Sequence, residues 1–162
     1  MRSLTTRKLG ATLDLAGSEK CFRDKERAVT EILLHHLAVI TGDLERSLAF
    51  YSGLFGFKQM LRPKLSASGA WLACGAHEIH IIVHPKGSFR RSARIDHADS
   101  HFALRVDNFE TFFAKLVSLG FSEDADEGDP KRMLVNRASP VGYPQIYLLD
   151  PDLNIIEVNA AA

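Results

Sequence analysis

Four residues of this chain have the types and positions expected of ligands to a divalent metal ion. His36, His80, His101 and Glu157 each lie on a short apolar stretch that reads as a β-strand. Alternation along each strand places these four side chains opposite the apolar residues that helices should cover. Neutral imidazole and carboxylate are common metal ligands, and four of them leave two octahedral positions for a bidentate substrate. The pattern predicts a metal site on a half-polar sheet surface.

The two adjacent histidines in "LLHHLAVIT" have different predicted roles, because neighbours on a strand point to opposite faces. His36 falls on the half-polar face, whereas His35 is expected to face the core or to lie at the strand edge. The other histidines are predicted to lie outside the site, either too far along a strand or at the surface: His77, His84 and His97.

The strands that carry these residues belong to an internal repeat. "HLAVITGDLERSLAFYSGLFGF" begins at His36 and "HFALRVDNFETFFAKLVSLGF" begins at His101. Each copy reads as a strand, an Asp or Asn that begins a helix, an amphipathic helix and a Gly that ends it. Three extended stretches follow each helix, near 57–62, 69–74 and 78–84 and near 132–136, 144–149 and 154–159.

The repeat predicts an α+β fold, in which two βαβββ modules form a curved mixed sheet around a cleft and the helices cover the outer face. The predicted boundaries are an N-terminal extension (1–31, with a helix near 18–31), a first module (32–86), a linker (87–99) and a second module (100–162).

Two sets of residues have two interpretations each. Trp71 lines the cleft or packs in the core. The linker arginines meet an anionic substrate or are simply solvated: Arg90, Arg91 and Arg94.

Composition excludes several classes of protein. The 162 residues contain 20 Lys plus Arg and 20 Asp plus Glu, so no net field favours nucleic acid or a membrane surface. No apolar run approaches the roughly 20 residues that span a bilayer, and no secretory signal is recognisable. Cys21 and Cys74 lack a C-x-x-C spacing and are expected to be reduced thiols, Cys74 as a small core residue. A cytoplasmic protein is expected.

Three segments resemble the vicinal oxygen chelate superfamily, which includes glyoxalase I, bleomycin-resistance proteins and extradiol dioxygenases: "HHLAVITGDLERSLAFYSGLFGF", "HFALRVDNFETF" and "YLLDPDLNIIEV". The segment "RPKLSASGAWLACGAHEIHII" is similar to uncharacterised glyoxalase-like proteins. The resemblance implies a small-molecule substrate, a metal-holding cleft and a homodimer, because such clefts often lie across a dimer interface. It places metal ligands at His36, His101 and Glu157, and it places His80 where glyoxalase I has a Glu. Leu153 replaces the Gly of the family's "DPDG" turn, a position suited to positive φ.

The resemblance implies a metal-dependent lyase or isomerase of glyoxalase type, which stabilises an enediolate of a substrate with adjacent oxygens as a proton moves. Zn, Ni, Mn and Fe all accept this ligand set. Because His80 is not acidic, Glu157 alone would be the catalytic base, which weighs against glyoxalase I activity itself.

Three alternatives stay open. A non-haem iron dioxygenase would use His36, His101 and Glu157, although a ligand at His80 would crowd the O₂ position. Thiol transfer to fosfomycin is disfavoured, because "VNAAA" supplies no basic residue after Glu157. A drug-sequestering protein of the bleomycin-resistance kind would usually lack the ligands.

Overall fold

A computed structural model describes residues 31–161, so Cys21 and all but the last residue of the predicted helix near 18–31 lie outside the described residues. Two βαβββ modules follow one another, which confirms the predicted α+β class. The first consists of β1 (His36–Thr41), α1 (Leu44–Phe55), β2 (Lys58–Met60), β3 (Gly69–Cys74) and β4 (His77–Val83). The second consists of β5 (His101–Val106), α2 (Phe109–Ser118), β6 (Met133–Asn136), β7 (Gln145–Leu149) and β8 (Ile155–Ala160).

Each module forms a mixed four-stranded sheet with the same topology. The strand orders are β1-β4-β3-β2 and β5-β8-β7-β6. The first and last strands of each module pair in parallel, and the remaining neighbours are antiparallel. Ala38 lies opposite His80 in the first sheet, and Ala103 lies opposite Glu157 in the second. The repeat therefore extends to the register of the strands.

Both helices begin at the residues that the sequence indicated. The Asp43 Oδ1 atom accepts a hydrogen bond from the Arg46 N–H at 3.1 Å, and the Asn108 Oδ1 atom accepts one from the Thr111 N–H at 2.8 Å. These bonds satisfy backbone donors that have no partner within the first turn of a helix. Gly56 ends α1 in the left-handed conformation, at φ 73°. Neither of the two helices in the described residues is long and apolar enough to cross a membrane.

The two modules share one hydrophobic core. It contains the helix-covered faces of both sheets and the inner faces of both helices, including Leu72, Ile81, Leu116, Ile146 and Ile156. The aromatic rings of Phe55 and Phe112 stack across the modules, with centroids 5.9 Å apart. Cys74 is partly buried and packs against this core. The opposite face of each sheet therefore points away from the shared core.

A polar contact also joins the modules at the turn between β7 and β8. The buried Tyr51 hydroxyl donates to Asp150 Oδ2 at 2.7 Å, and Arg46 forms an ion pair with Asp152 at 3.1 Å. Asp150 Oδ1 accepts from the backbone N–H groups of Asp152 and Asn154 at 2.9 and 2.8 Å. Burial raises the pKa of Asp150, and the hydrogen bonds partly oppose this effect.

The same turn contains Leu153, which replaces the glycine of the "DPDG" turn in the family that the sequence resembles. Leu153 has φ 68°, the left-handed conformation that the sequence comparison indicated for this position. Its side chain packs against the small buried cluster of Tyr147, Leu149 and Ile155. The strain of a branched residue at positive φ is therefore offset by apolar contacts.

Candidate metal centre

The first half-site consists of His36 and His80, on the face of the first sheet that points away from the core. Their imidazole rings stack with centroids 4.0 Å apart and planes within 13° of parallel. Trp71, on the next strand, stacks on His80 at 4.3 Å. Trp71 thus lies beside the predicted ligands and outside the shared core. Flat stacking of three aromatic rings fixes the orientation of His80.

Two neighbours contact the nitrogens of these histidines. Glu78 Oε2 lies 2.7 Å from His80 Nε2, and this hydrogen bond holds the pKa of Glu78 below its usual range. His35 is exposed and its Nδ1 atom lies 2.9 Å from His36 Nδ1. Of the two positions expected for His35, the structure shows the strand edge, because β1 begins at His36 and His35 is the residue just before it.

The second half-site consists of His101 and Glu157, at the corresponding position of the second sheet. His101 Nε2 lies 3.4 Å from Glu157 Oε2. The Tyr147 hydroxyl donates to the same oxygen at 3.0 Å, and the Asn159 side-chain amide donates to Glu157 Oε1 at 2.7 Å. Burial alone would raise the pKa of Glu157, but hydrogen bonding with Asn159, Gln145 and Tyr147, together with the nearby His101, outweighs it and the pKa is lowered. Glu157 is therefore ionised at neutral pH.

The tautomer of His101 determines what this pair can hold. His101 Nδ1 lies 2.8 Å from the Asp99 carbonyl oxygen, which can only accept, so Nδ1 carries the proton. In neutral His101, Nε2 therefore presents a lone pair toward the Glu157 carboxylate. Two acceptors that face each other at this distance favour a cation between or beside them. A backbone carbonyl that fixes the second nitrogen is also the usual support of a histidine metal ligand.

The described chain brings the four predicted ligands together as two pairs. Within residues 31–161, no group of three or more His, Cys, Asp or Glu side chains is close enough to hold one metal ion. His36 lies beside His80, and His101 lies beside Glu157. The four-ligand set therefore stays a prediction, and each sheet supplies half of it.

The linker between the modules has a structural role that the sequence did not reveal. Arg90 forms an ion pair with Asp99 at 3.0 Å and also donates to backbone carbonyls of the linker. Ala93 and Ile95 pack against the buried cluster that contains Tyr147. The linker thus covers one end of the second sheet's site-bearing face, while Arg91 and Arg94 remain exposed.

Sequence reasoning did not assign roles to Glu78, Tyr147 and Asn159. The available signal was alternation, because Glu78 and Asn159 lie two residues from a predicted ligand and hence on the same face. Tyr147 gives no such signal, since its place opposite Glu157 depends on the pairing of β7 with β8.

Comparison with known proteins gives a consistent result. A family model described as the Glyoxalase/Bleomycin resistance protein/Dioxygenase superfamily matches residues 33–158. Over 127 residues the chain is 27% identical to Glyoxylase I 4 of Arabidopsis thaliana, covering 77% of this chain and 68% of the relative. It is 28% identical to the metallothiol transferase FosB of Lysinibacillus sphaericus over 127 residues, covering 74% and 75%. The crystal structure of a glyoxalase family protein from Bacillus anthracis superposes with a TM-score of 0.64 at 25% identity, covering 83% of this chain and 98% of the other.

Proposed function

The chain belongs to the glyoxalase/bleomycin resistance protein/dioxygenase superfamily, and on that premise we propose that it is a metal-dependent lyase or isomerase of glyoxalase type. Its substrate would be a small molecule with adjacent oxygen atoms. The superfamily includes glyoxalases, fosfomycin-resistance enzymes and bleomycin-binding proteins, so membership leaves the reaction open. The proposal rests on the residues of the two half-sites.

The observation that carries the proposal is the equivalent placement of the two half-sites. In each module a histidine begins the first strand. The residue two positions later, Ala38 or Ala103, pairs with the second predicted ligand, His80 or Glu157. A histidine in one module and a carboxylate in the other occupy this second position. Metal ligation would explain why both modules have a metal-ligating side chain at this position.

The donor set fits a divalent ion of the first transition row. Three imidazoles and one carboxylate are the ligand types that Zn, Ni, Mn and Fe(II) accept. His101 is held in the tautomer that leaves Nε2 free, and Glu157 is held in its ionised form. When bound, the ion would act as a Lewis acid that polarises the two substrate oxygens.

The residues of the chain would supply the proton transfer. Glu157 is the one carboxylate of the proposed ligand set, so its Oε atoms would accept the substrate proton and return it. Tyr147 and Asn159 hold that carboxylate in one orientation through two hydrogen bonds. Such fixed geometry contributes to catalysis because the base need not reorganise as the proton moves.

We further propose that a second copy of the chain joins the half-sites. The helix-covered faces of both sheets pack into the shared core, so both site-bearing faces point away from it. Stacking of Phe55 on Phe112 helps to fix this arrangement of the modules. Within residues 31–161 the half-sites are not close enough to share one ion, and a rearrangement that joined them within one chain would disturb the packed core. Pairing the first half-site of one protomer with the second of its partner leaves the core intact.

Complementation between variants tests both parts of the proposal. His36→Ala and Glu157→Ala proteins are each expected to lose stoichiometric metal after loading with Zn(II). When they are unfolded, mixed equally and refolded, each mixed dimer should regain one intact site, giving roughly a quarter of the wild-type metal content per chain. Elemental analysis after gel filtration measures this recovery.

The matched control is a mixture of His36→Ala with His80→Ala, which lie in the same half-site and should not complement. Recovery in neither mixture, with wild-type metal binding intact, would place the whole site within one chain. Absence of metal from the wild type after loading with Zn, Ni, Mn and Fe(II) would overturn the enzymatic proposal and favour a sequestering protein.

A further inference from the structure

Arg105 lies on the same face of the second sheet as the second half-site. It follows His101 and Ala103 by alternation on β5 and pairs in register with Asn159 on β8. Glu157 is two residues from Asn159, about 6.6 Å along that strand. The linker covers the other end of this face, near Leu149 and Ile155. Arg105 therefore lies at the end of the candidate cleft that the linker does not cover.

The Arg105 guanidinium is held in place by two neutral groups. Its Nε donates to Asn159 Oδ1 at 2.8 Å, and its Cζ lies 4.9 Å from the centre of the Tyr143 ring. The Asn159 amide has one possible orientation, because its oxygen accepts from Arg105 while its nitrogen donates to Glu157 at 2.7 Å. The position of the guanidinium is thus fixed relative to the Glu157 carboxylate.

The charge of Arg105 is not neutralised within the described part of the chain. Arg46, Arg90 and Arg137 each have a carboxylate within 3.1 Å. Arg105 has no carboxylate within the 4.0 Å of an ion pair among residues 31–161, and its Nη1 and Nη2 atoms make no hydrogen bond there. A guanidinium with both terminal nitrogens free and its plane already oriented is suited to bidentate binding of an oxyanion.

We propose that Arg105 recognises an anionic group of the substrate, which would make the substrate an organic acid. One end of that molecule would carry the adjacent oxygens that bind at the half-sites, and the other end a carboxylate or phosphonate that binds Arg105. The inference deepens the proposed function and rests on it. Pre-orientation by Asn159 and Tyr143 reduces the entropy lost when the anion binds.

A purely structural role is the competing explanation. If Arg105 only orients Asn159, its loss would disturb Glu157 and weaken every ligand of the site to the same degree. If Arg105 binds the anion, its loss would weaken only ligands that carry one. A pair of ligands that differ in that single group separates the two roles.

The experiment compares two hydroxamates by titration calorimetry with the Zn-loaded protein. Succinic acid monohydroxamate and N-hydroxybutanamide share the chelating group, and only the first carries a distal carboxylate. The wild type should bind the carboxylate form roughly tenfold to hundredfold more tightly. Arg105→Gln should abolish this preference, and Arg105→Lys should retain part of it. Arg137→Gln, which removes an exposed arginine paired with Glu123, is the control and should leave the preference unchanged.

Each result has a defined meaning. Equal affinity of the wild type for both hydroxamates, or an equal loss of both in Arg105→Gln, overturns the inference and leaves the metal site standing. Failure of the wild type to bind metal or either hydroxamate overturns the proposed function and this inference with it.

Discussion

The two half-sites occupy the same position in two copies of one module, yet different interactions fix their side chains. In the first, His80 is held between the rings of His36 and Trp71 by stacking. In the second, Glu157 is held by hydrogen bonds from Tyr147 and Asn159. Stacking on two rings, with one hydrogen bond to Glu78, orients the His80 imidazole. The buried Glu157 carboxylate instead needs hydrogen-bond donors to offset its desolvation.

This difference assigns different tasks to the two halves of the proposed centre. The predicted ligands of the first half-site are two imidazoles, and the Glu78 carboxylate contacts one of them from outside the predicted ligand set. The second half-site supplies the one carboxylate of the predicted ligand set, together with an imidazole whose tautomer is fixed by Asp99. Removing the charge should therefore harm metal binding more than removing a stacked imidazole.

Loss of the carboxylate is expected to have the largest effect. Glu157→Gln keeps the shape of the side chain but removes its charge, and metal affinity should fall by more than about 100-fold, beyond the loss typical of a supporting residue. His80→Ala should reduce affinity less, since His36 and the second half-site remain. Competition with a chelator of known affinity measures both. The exposed His77 lies outside the half-sites, so His77→Ala is the control and should bind metal normally; equal losses in all three variants would contradict the assignment.

Removal of a hydrogen bond to Glu157 should have the next largest effect on metal affinity. Tyr147→Phe removes the 3.0 Å hydrogen bond to Oε2 and should lower metal affinity by about 10-fold to 100-fold, because partners that orient a ligand have effects of this size. Trp71→Leu, which removes a stacking contact, should have a smaller effect. The same chelator competition compares them, and a larger loss in Trp71→Leu would reverse the roles given to the two half-sites.

The contact between Tyr51 and Asp150 should affect stability and leave metal affinity unchanged. Tyr51→Phe leaves a buried carboxylate oxygen with one donor fewer and should destabilise the protein by about 1–3 kcal/mol, as measured by urea denaturation. The hydrogen bond lowers the pKa of Asp150 against the raising effect of burial, so the variant's folded pKa rises further. Its deficit should therefore be largest above that pKa, where Asp150 is ionised, and should shrink as pH falls through that pKa. A deficit that does not depend on pH would contradict this account. Tyr143→Phe is the control.

The smallest effect is expected at the turns that precede β4 and β8. Gly75 occupies the left-handed conformation in the first module at φ 60°, and Leu153 does so in the second at φ 68°. Gly75→Leu should destabilise the protein by about 1–2 kcal/mol, because φ is positive there and a Cβ atom added at Gly75 meets no atom of the described residues beyond its chain neighbours within 4 Å. Leu153→Gly relieves similar strain but loses contacts with Tyr147 and Ile155, so its net effect should stay within about 1 kcal/mol. Thermal denaturation compares the two. A large loss in Leu153→Gly would show that packing outweighs the strain.

Much of the fold could be predicted because local rules govern it. Asp43 and Asn108 act as helix caps through their own side chains, and Gly56 ends α1 through its own φ, so these features need no distant partner. The predicted strands near 69–74, 78–84, 144–149 and 154–159 lie within about a residue of their observed ends. Turn residues that flank each extended run mark these ends locally. For His35 the pattern left two positions open, the core or the strand edge, because alternation cannot show where a strand begins.

The candidate site could be predicted only in part. Alternation alone placed His36, His80, His101 and Glu157 on the site-bearing faces. The partners that hold them depend on which strand lies beside which, and so Trp71 was left between two interpretations and Tyr147 was not found. Arg90 likewise reads as a solvated linker residue until its ion pair with Asp99 is seen.

The sequence by itself determined the repeated βαβββ modules, the helix ends and the face on which each candidate ligand lies, because these depend on residues a few positions apart. Only the tertiary structure decided that the candidate ligands within residues 31–161 form two separate pairs. That outcome depends on how the helix-covered faces of both modules pack into one core. Contacts between residues far apart in the chain, such as Phe55 and Phe112, determine this packing. Alternation fixes the face of each residue but not which face of one module meets which face of another.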